Sequence, residues 1–185
     1  MEYQGFMKRA RTAGSVFGVA CALISVRVRA EDIPGGNAYV GLGFHLSSAI
    51  APNRGPGFGF SLEAQLESQH FLLGGTLMLA GSSGGDGMIF LGARSAVIFT
   101  AAESSPFVGF GIGYMETGAL EEGNTSTGLG LNGEVGFLLF RSRRFGRFSV
   151  SLQAFFPTYD ECPAGNNCSN GHWRPWASLS MRLLL

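Results

Sequence analysis

The sequence predicts an all-β protein: an eight-stranded antiparallel up-and-down transmembrane β-barrel, preceded by a signal-peptide helix. Three observations carry this. Apolar and polar residues alternate with period two through eight segments, and no sustained helical pattern appears after residue 37. Several segments run nine to eleven residues, the ~9–11 that cross a bilayer at a tilt rather than the ~5–6 of ordinary globular strands. The polar face is mostly Gly, Ser, Thr, Gln and Asn with isolated Glu and Arg, too few charges for a surface that meets water.

Composition narrows the field further. The chain has 185 residues, 29 of them Gly and 16 Phe, 14% charged residues and no net charge. Its mean hydropathy is +0.20. The length suits one domain. A hydrophobic share of 45% excludes a disordered tail protein, and glycine without a three-residue period excludes collagen. Neutrality with Lys8 as the single lysine argues against nucleic-acid binding.

Residues 1–30 read as a secretory signal peptide. Lys8, Arg9 and Arg11 precede an uncharged stretch at 12–26, and the small residue Ala30 marks the cut, with Met7 as an alternative start. Fifteen uncharged, mostly small or apolar residues fall short of the ~20 of a spanning helix, which disfavours an uncleaved anchor. Cys21 lacks the leucine usual three places before a lipidated cysteine. Without residues 1–30 the chain keeps eight arginines against twelve acids and no lysine. A short segment at 31–37 then leads into a barrel over 38–185.

The strands follow in order, each defined by its apolar face. The first carries Val40, Leu42, Phe44 and Leu46. The second, at 58–66, sets Phe58, Phe60, Leu62, Ala64 and Leu66 against Gly59, Ser61, Glu63 and Gln65. The third carries Phe71, Leu73, Leu77 and Leu79; the fourth, Ile89, Leu91, Ala93, Val97 and Phe99. Val108, Phe110, Ile112 and Tyr114 mark the fifth, alternating with Gly109, Gly111 and Gly113. The sixth, at 129–139, has Leu129, Leu131, Val135, Phe137 and Leu139. The seventh, at 148–156, has Phe148, Val150, Leu152, Ala154 and Phe156. The eighth carries Ala177, Leu179, Met181, Leu183 and Leu185. The connections are expected to alternate: long at 47–56, 80–87, 116–127 and 157–175, short at 67–70, 101–105 and 141–146. Short turns at one end and long loops at the other suit a membrane barrel, as do aromatic girdles. Phe71, Phe99, Phe107, Phe140 and Phe148 fall near the turns; Tyr114, Phe156, Tyr159, Trp173 and Trp176 fall near the loops.

Cys162 and Cys168, an even pair in an exported chain, read as a disulfide closing a small loop. A metal site would need more ligands than His172 adds.

On this architecture residues 38–185 resemble the small, eight-stranded outer-membrane β-barrel family and are similar to the transmembrane domain of outer-membrane protein A. The resemblance implies a barrel in the outer membrane of a Gram-negative bacterium. Its partners would be outer-membrane lipids, the barrel-assembly machinery during biogenesis, and extracellular contacts through the long loops. It also implies a monomer that needs no cofactor. The terminal strand ends in Leu185 where such barrels usually end in an aromatic residue. The alternative fold is a soluble, exported lipocalin-like barrel holding an apolar ligand.

Eight strands enclose a space that side chains can fill, so a general porin is not expected. Inward parity predicts a lumen network of Glu63, Arg94, Glu134, Arg147 and Arg182, with Glu63 and Glu134 opposite Arg94 and Arg182, because charges in a low-dielectric lumen must pair. No catalytic residue is assigned. His45 and Ser47, two apart, match the spacing of a lipid A-deacylating barrel, but the flanking asparagine expected there is absent. Residues 109–113 lack the helix and the Lys-Ser/Thr of a phosphate loop. The basic run at 141–144 reads as a solvated turn, with anionic lipid headgroups or periplasmic partners as the functional alternatives. The expected function is structural or surface-interacting and non-catalytic, with the loop at 157–175 as the contact candidate.

Overall fold

The computed structural model describes residues 37–50, 55–119, 124–143, 146–159 and 174–185. These form eight strands: β1 (Asn37–Ala49), β2 (Gly57–Glu67), β3 (Phe71–Gly81), β4 (Asp86–Ile98), β5 (Ser104–Ala119), β6 (Asn124–Leu139), β7 (Arg147–Pro157) and β8 (Trp176–Leu184). Each pairs antiparallel with its sequence neighbours, and β8 pairs with β1 to close the barrel. Closure leaves no unpaired strand edge, the condition for a sheet to sit in hydrocarbon.

Strict alternation decides which side chain faces where. Val40, Leu42, Phe44, Phe58, Phe60, Leu73, Val108, Phe110, Val135, Phe137, Leu152 and Met181 all lie on the exposed outer wall, while the intervening residues of the same strands are buried. A soluble barrel would place these faces the other way round. The lipocalin-like alternative fails here, because the apolar face is outside and the interior is filled.

The interior has three levels. Near the loop end Met78, Met88, Phe90, Met115, Phe155 and Trp176 pack together with Ala49 and Ala80. Phe90 meets Phe155 edge-on at 5.2 Å between centroids, a geometry worth about 0.5–1.5 kcal/mol beyond burial. Near the turn end Tyr39, Leu72, Ala96, Ile98, Phe107, Leu138 and Leu184 form a second apolar plug. A polar layer lies between the two.

Strand bounds depart from expectation in one consistent way. Residues 80–87 and 116–127, expected as long loops, are largely paired: Gly81 faces Gly87, and the β5–β6 ladder runs up to Ala119 opposite Asn124. Glycine, serine and threonine look loop-like, yet here they keep the two-residue parity and the backbone ladder simply continues. Asn37, expected in the leading segment, opens β1. Residues 1–36, with the predicted signal peptide, lie outside the described residues.

Candidate functional site: the ionic layer inside the barrel

The middle layer is built around two carboxylates and two guanidiniums from four walls. Arg94 on β4 reaches Glu63 Oε2 of β2 at 2.7 Å and Glu134 Oε2 of β6 at 2.6 Å. Arg182 on β8 reaches Glu63 Oε1 at 3.0 Å and is also paired with Glu134 Oε1. Its remaining donors go to serines of β7: Nε to Ser149 Oγ at 2.8 Å and Nη2 to Ser151 Oγ at 2.9 Å. All four charged side chains are buried. Each carboxylate thus faces two guanidiniums and each guanidinium two carboxylates, so the cluster is neutral as a unit. Mutual satisfaction of this kind is what makes burial of ions tolerable.

Glycines supply the room. A Cβ at Gly43 would come within 2.9 Å of Arg182 Cγ and 3.0 Å of His45 Nε2, and one at Gly41 within 3.4 Å of the Glu63 Cβ. On the facing wall a Cβ at Gly109 would stand 3.5 Å from Glu134 Oε2. Inward glycines on β1 and β5 therefore leave space for the long side chains that cross the lumen.

His45 joins this layer without a carboxylate. Its Nε2 lies 2.8 Å from Ser61 Oγ and its Nδ1 3.3 Å from Ser178 Oγ, and the ring is fully buried. Ser47, also inward, donates to the Gly81 carbonyl at 3.3 Å. Both ring nitrogens thus face hydroxyls, leaving no nitrogen for an orienting acid, and Ser47 is turned away to a backbone oxygen. Such a His–Ser pair lacks the geometry of a nucleophile and its base.

Arg147 belongs elsewhere, which corrects its place in a single lumen network. It points inward at the turn end, where its Nη1 meets Glu67 Oε2 at 3.1 Å and its guanidinium lies 4.5 Å from the Tyr39 ring centroid. Arg141 takes the other oxygen, Glu67 Oε1, at 2.9 Å. It also donates to the carbonyls of Thr100 at 2.7 Å and Gln69 at 3.1 Å and to Ser105 Oγ at 3.0 Å. One side chain therefore ties together all three turns. Glu103 accepts the Ser142 N–H at 2.9 Å; hydrogen bonds from the Ser142 side chain and backbone hold its carboxyl below the usual range. These residues border a cleft of about 450 Å³ at the turn end, between Asn37, Glu67, Gln69, Glu103 and Arg141. Arg141 lies in its expected turn, whereas Glu67, expected in the turn at 67–70, ends β2 and continues the inward parity of Glu63 and Gln65, the signal that identifies it.

The aromatic girdles need the same correction. Phe71, Phe99, Phe140 and Phe148 are exposed at the turn end. Phe107 and Trp176 instead point inward and are buried in the two plugs, and Tyr159 folds over the upper one, donating to the Met115 carbonyl at 2.9 Å. Parity overrides aromatic character: Phe107 shares a face with Gly109, and Trp176 with Ser178. Cys162, Cys168, His172 and Trp173 lie outside the described residues. Among the described residues no group of three His, Cys, Asp or Glu could hold a metal ion.

No protein-family model matches the chain, and no curated protein matches it in sequence. Solved structures do match in shape. Neisserial surface protein A aligns with a TM-score of 0.61 at 13% identity, covering 80% of this chain and 98% of that one. The outer membrane enzyme PagL aligns at 0.49 and 12% identity, covering 77% and 98%. The N-terminal barrel of Pseudomonas aeruginosa OprF aligns at 0.48 and 8%, covering 80% and 100%. Closed eight-strand topology, outward apolar walls and the match to the neisserial protein together give this chain the fold of the small eight-stranded outer-membrane β-barrels.

Proposed function

We propose that this chain is an integral outer-membrane β-barrel with a structural or surface-interaction role and no catalysis. One observation carries the reading: the apolar wall faces outward while a neutral ionic layer between two apolar plugs closes the lumen. A wall of this kind is stable only against lipid, and a lumen filled at three levels offers no path for solute. The role then falls to the parts outside the bilayer. The connection expected at 157–175 is the contact surface, and the apolar alternation of β8 is what the barrel-assembly machinery would read. The barrel acts as a monomer. The lipid A-modifying alternative has His45 against it, since both its nitrogens are taken by serines inside the wall.

Cell fractionation tests the proposal. The protein should stay with membranes until detergent is added and should run faster on gels unheated than boiled. Release into the soluble fraction would sink the membrane reading. Unchanged lipid A by mass spectrometry, with and without the gene, is expected; a lost acyl chain would replace the structural role by an enzymatic one.

A further inference from the structure

The basic turn between β6 and β7 separates into inward and outward members. Arg141 and Arg147 turn inward onto Glu67. Arg143 turns outward, and its guanidinium carbon stands 4.7 Å from the Phe140 ring centroid. That ring is held in an unusual way. Phe140 has φ +61°, a left-handed conformation that a bulky residue rarely adopts, and the Arg143 N–H closes the turn onto the Phe140 carbonyl at 3.1 Å. Phe140 also stacks edge-on against Phe148 at 6.2 Å. Both rings are exposed, in line with Phe71 and Phe99 at the same end of the outer wall. The turn therefore fixes a guanidinium at the depth of the aromatic rim, where hydrocarbon gives way to headgroups.

Among the described residues no carboxylate stands within ion-pair distance of Arg143. Glu103, which feels its charge, is already bonded to the Ser142 N–H. A guanidinium stacked on a ring keeps its in-plane N–H groups free, and their fork matches two oxygens of a phosphate. Cation–π contact keeps the charge in place without neutralising it.

We infer that Arg143, seated on Phe140, is a binding site for the phosphate of an anionic phospholipid in the leaflet around the turn end. The inference rests on the membrane reading above and gives that surface a lipid preference. Ring and guanidinium divide the work: Phe140 sets depth and Arg143 binds the headgroup.

The test uses the full chain, unfolded in urea and folded into vesicles of phosphatidylcholine containing about one-fifth phosphatidylglycerol. Folding is read from heat-dependent gel migration, and bound lipid from native mass spectrometry after detergent extraction. The wild type should retain phosphatidylglycerol over phosphatidylcholine by about five-fold beyond their ratio in the vesicle, the effect of one guanidinium at an anionic surface. R143Q should fold equally well and lose that enrichment. F140L should fold and show a reduced one, because the guanidinium loses its seat. Inorganic phosphate added in excess should not displace the lipid if the acyl chains contribute. Equal enrichment in wild type and R143Q, with both folded, overturns the site and leaves the membrane reading intact. Displacement by free phosphate overturns the assignment to lipid. Failure of the wild type to fold into vesicles overturns the membrane reading, and the site with it.

Discussion

Arg94 and Arg182 stand on separate walls of the barrel, β4 and β8, and share the same two carboxylates, Glu63 and Glu134. The four charges form one closed unit, so they should fail as a unit. Glu63→Gln leaves two guanidiniums on one carboxylate, Glu134, in a buried layer and should destabilise the barrel by about 3–5 kcal/mol. Arg94→Met alone should cost a similar amount. The double variant Arg94→Met with Glu63→Gln keeps the Arg182–Glu134 pair and restores neutrality, so its loss should be smaller than that of either single change. Urea titrations in vesicles, read by tryptophan fluorescence, measure all four values. A double variant whose loss equals the sum of the singles would show that the charges act independently.

Two glycines provide a matched comparison of space. A Cβ at Gly43 meets Arg182 and His45, whereas one at Gly133, on the outer wall of β6, meets nothing within 4 Å. Gly43→Ala should therefore cost about 1–3 kcal/mol through displaced lumen side chains. Gly133→Ala should stay within about 0.5 kcal/mol of the wild type. The same urea titration compares them, and equal losses would mean that strand propensity, not lumen crowding, governs inward glycines.

The fold was legible because period two runs through the whole barrel. Outward Phe58, Phe110 and Leu152 and inward Glu63, Arg94 and Arg182 follow from counting by twos along their strands. The departures lie where residue character and that count point in different directions. Trp176 and Phe107 look interfacial, but they share parity with Ser178 and Gly109 and fill the plugs. Gly81 and Gly87 look like loop residues, yet they pair in the β3–β4 ladder. The turn-end cluster of Glu67, Arg141 and Arg147 was less accessible, because it joins three connections far apart in sequence. Only the geometry of barrel closure brings them together.

Arg141 holds those three turns by charge-assisted bonds to Glu67, Thr100 and Gln69. Bonds of this type contribute about 1.5–3 kcal/mol each when intact, although part is lost to solvent at this rim. Arg141→Ala should leave the lumen layer folded but open the turn end. Hydrogen exchange should accelerate at residues 67–70 and 100–105 while the centres of β2 and β4 remain protected. Arg141→Lys should recover little, since an ammonium cannot span the same acceptors. Exchange unchanged in Arg141→Ala would show that the turns are held by their own backbones.

Glu103 lies outside the membrane-spanning strands, and its carboxyl is held low by Ser142. A group whose folded pKa is depressed contributes above its unfolded value and loses that contribution as pH falls through its folded one. The tie between Glu103 and Ser142 should therefore be constant from neutral pH down to about 4.5, the ordinary glutamate value, and weaken only below it. Protection of the Ser142 N–H, its exchange rate relative to the intrinsic amide rate at each pH, should be high at pH 6 and fall in acid, with Glu103→Gln unprotected throughout. A transition near neutral pH would point to another group.

Ion conduction tests the lumen as a whole. Three levels close it: the plug around Phe90 and Trp176, the ionic layer, and the plug around Phe107 and Leu138. In planar bilayers the wild type should show no steady conductance. Phe90→Ala hollows the upper plug, but the two lower levels still block water and ions, so it too should remain closed. The same applies to Arg94→Met, because both plugs remain. Opening should require coincident loss of all three, as in Phe90→Ala with Arg94→Met and Phe107→Ala. Steady channels in the wild type that vanish in Arg94→Met would mean that the ionic layer conducts rather than seals.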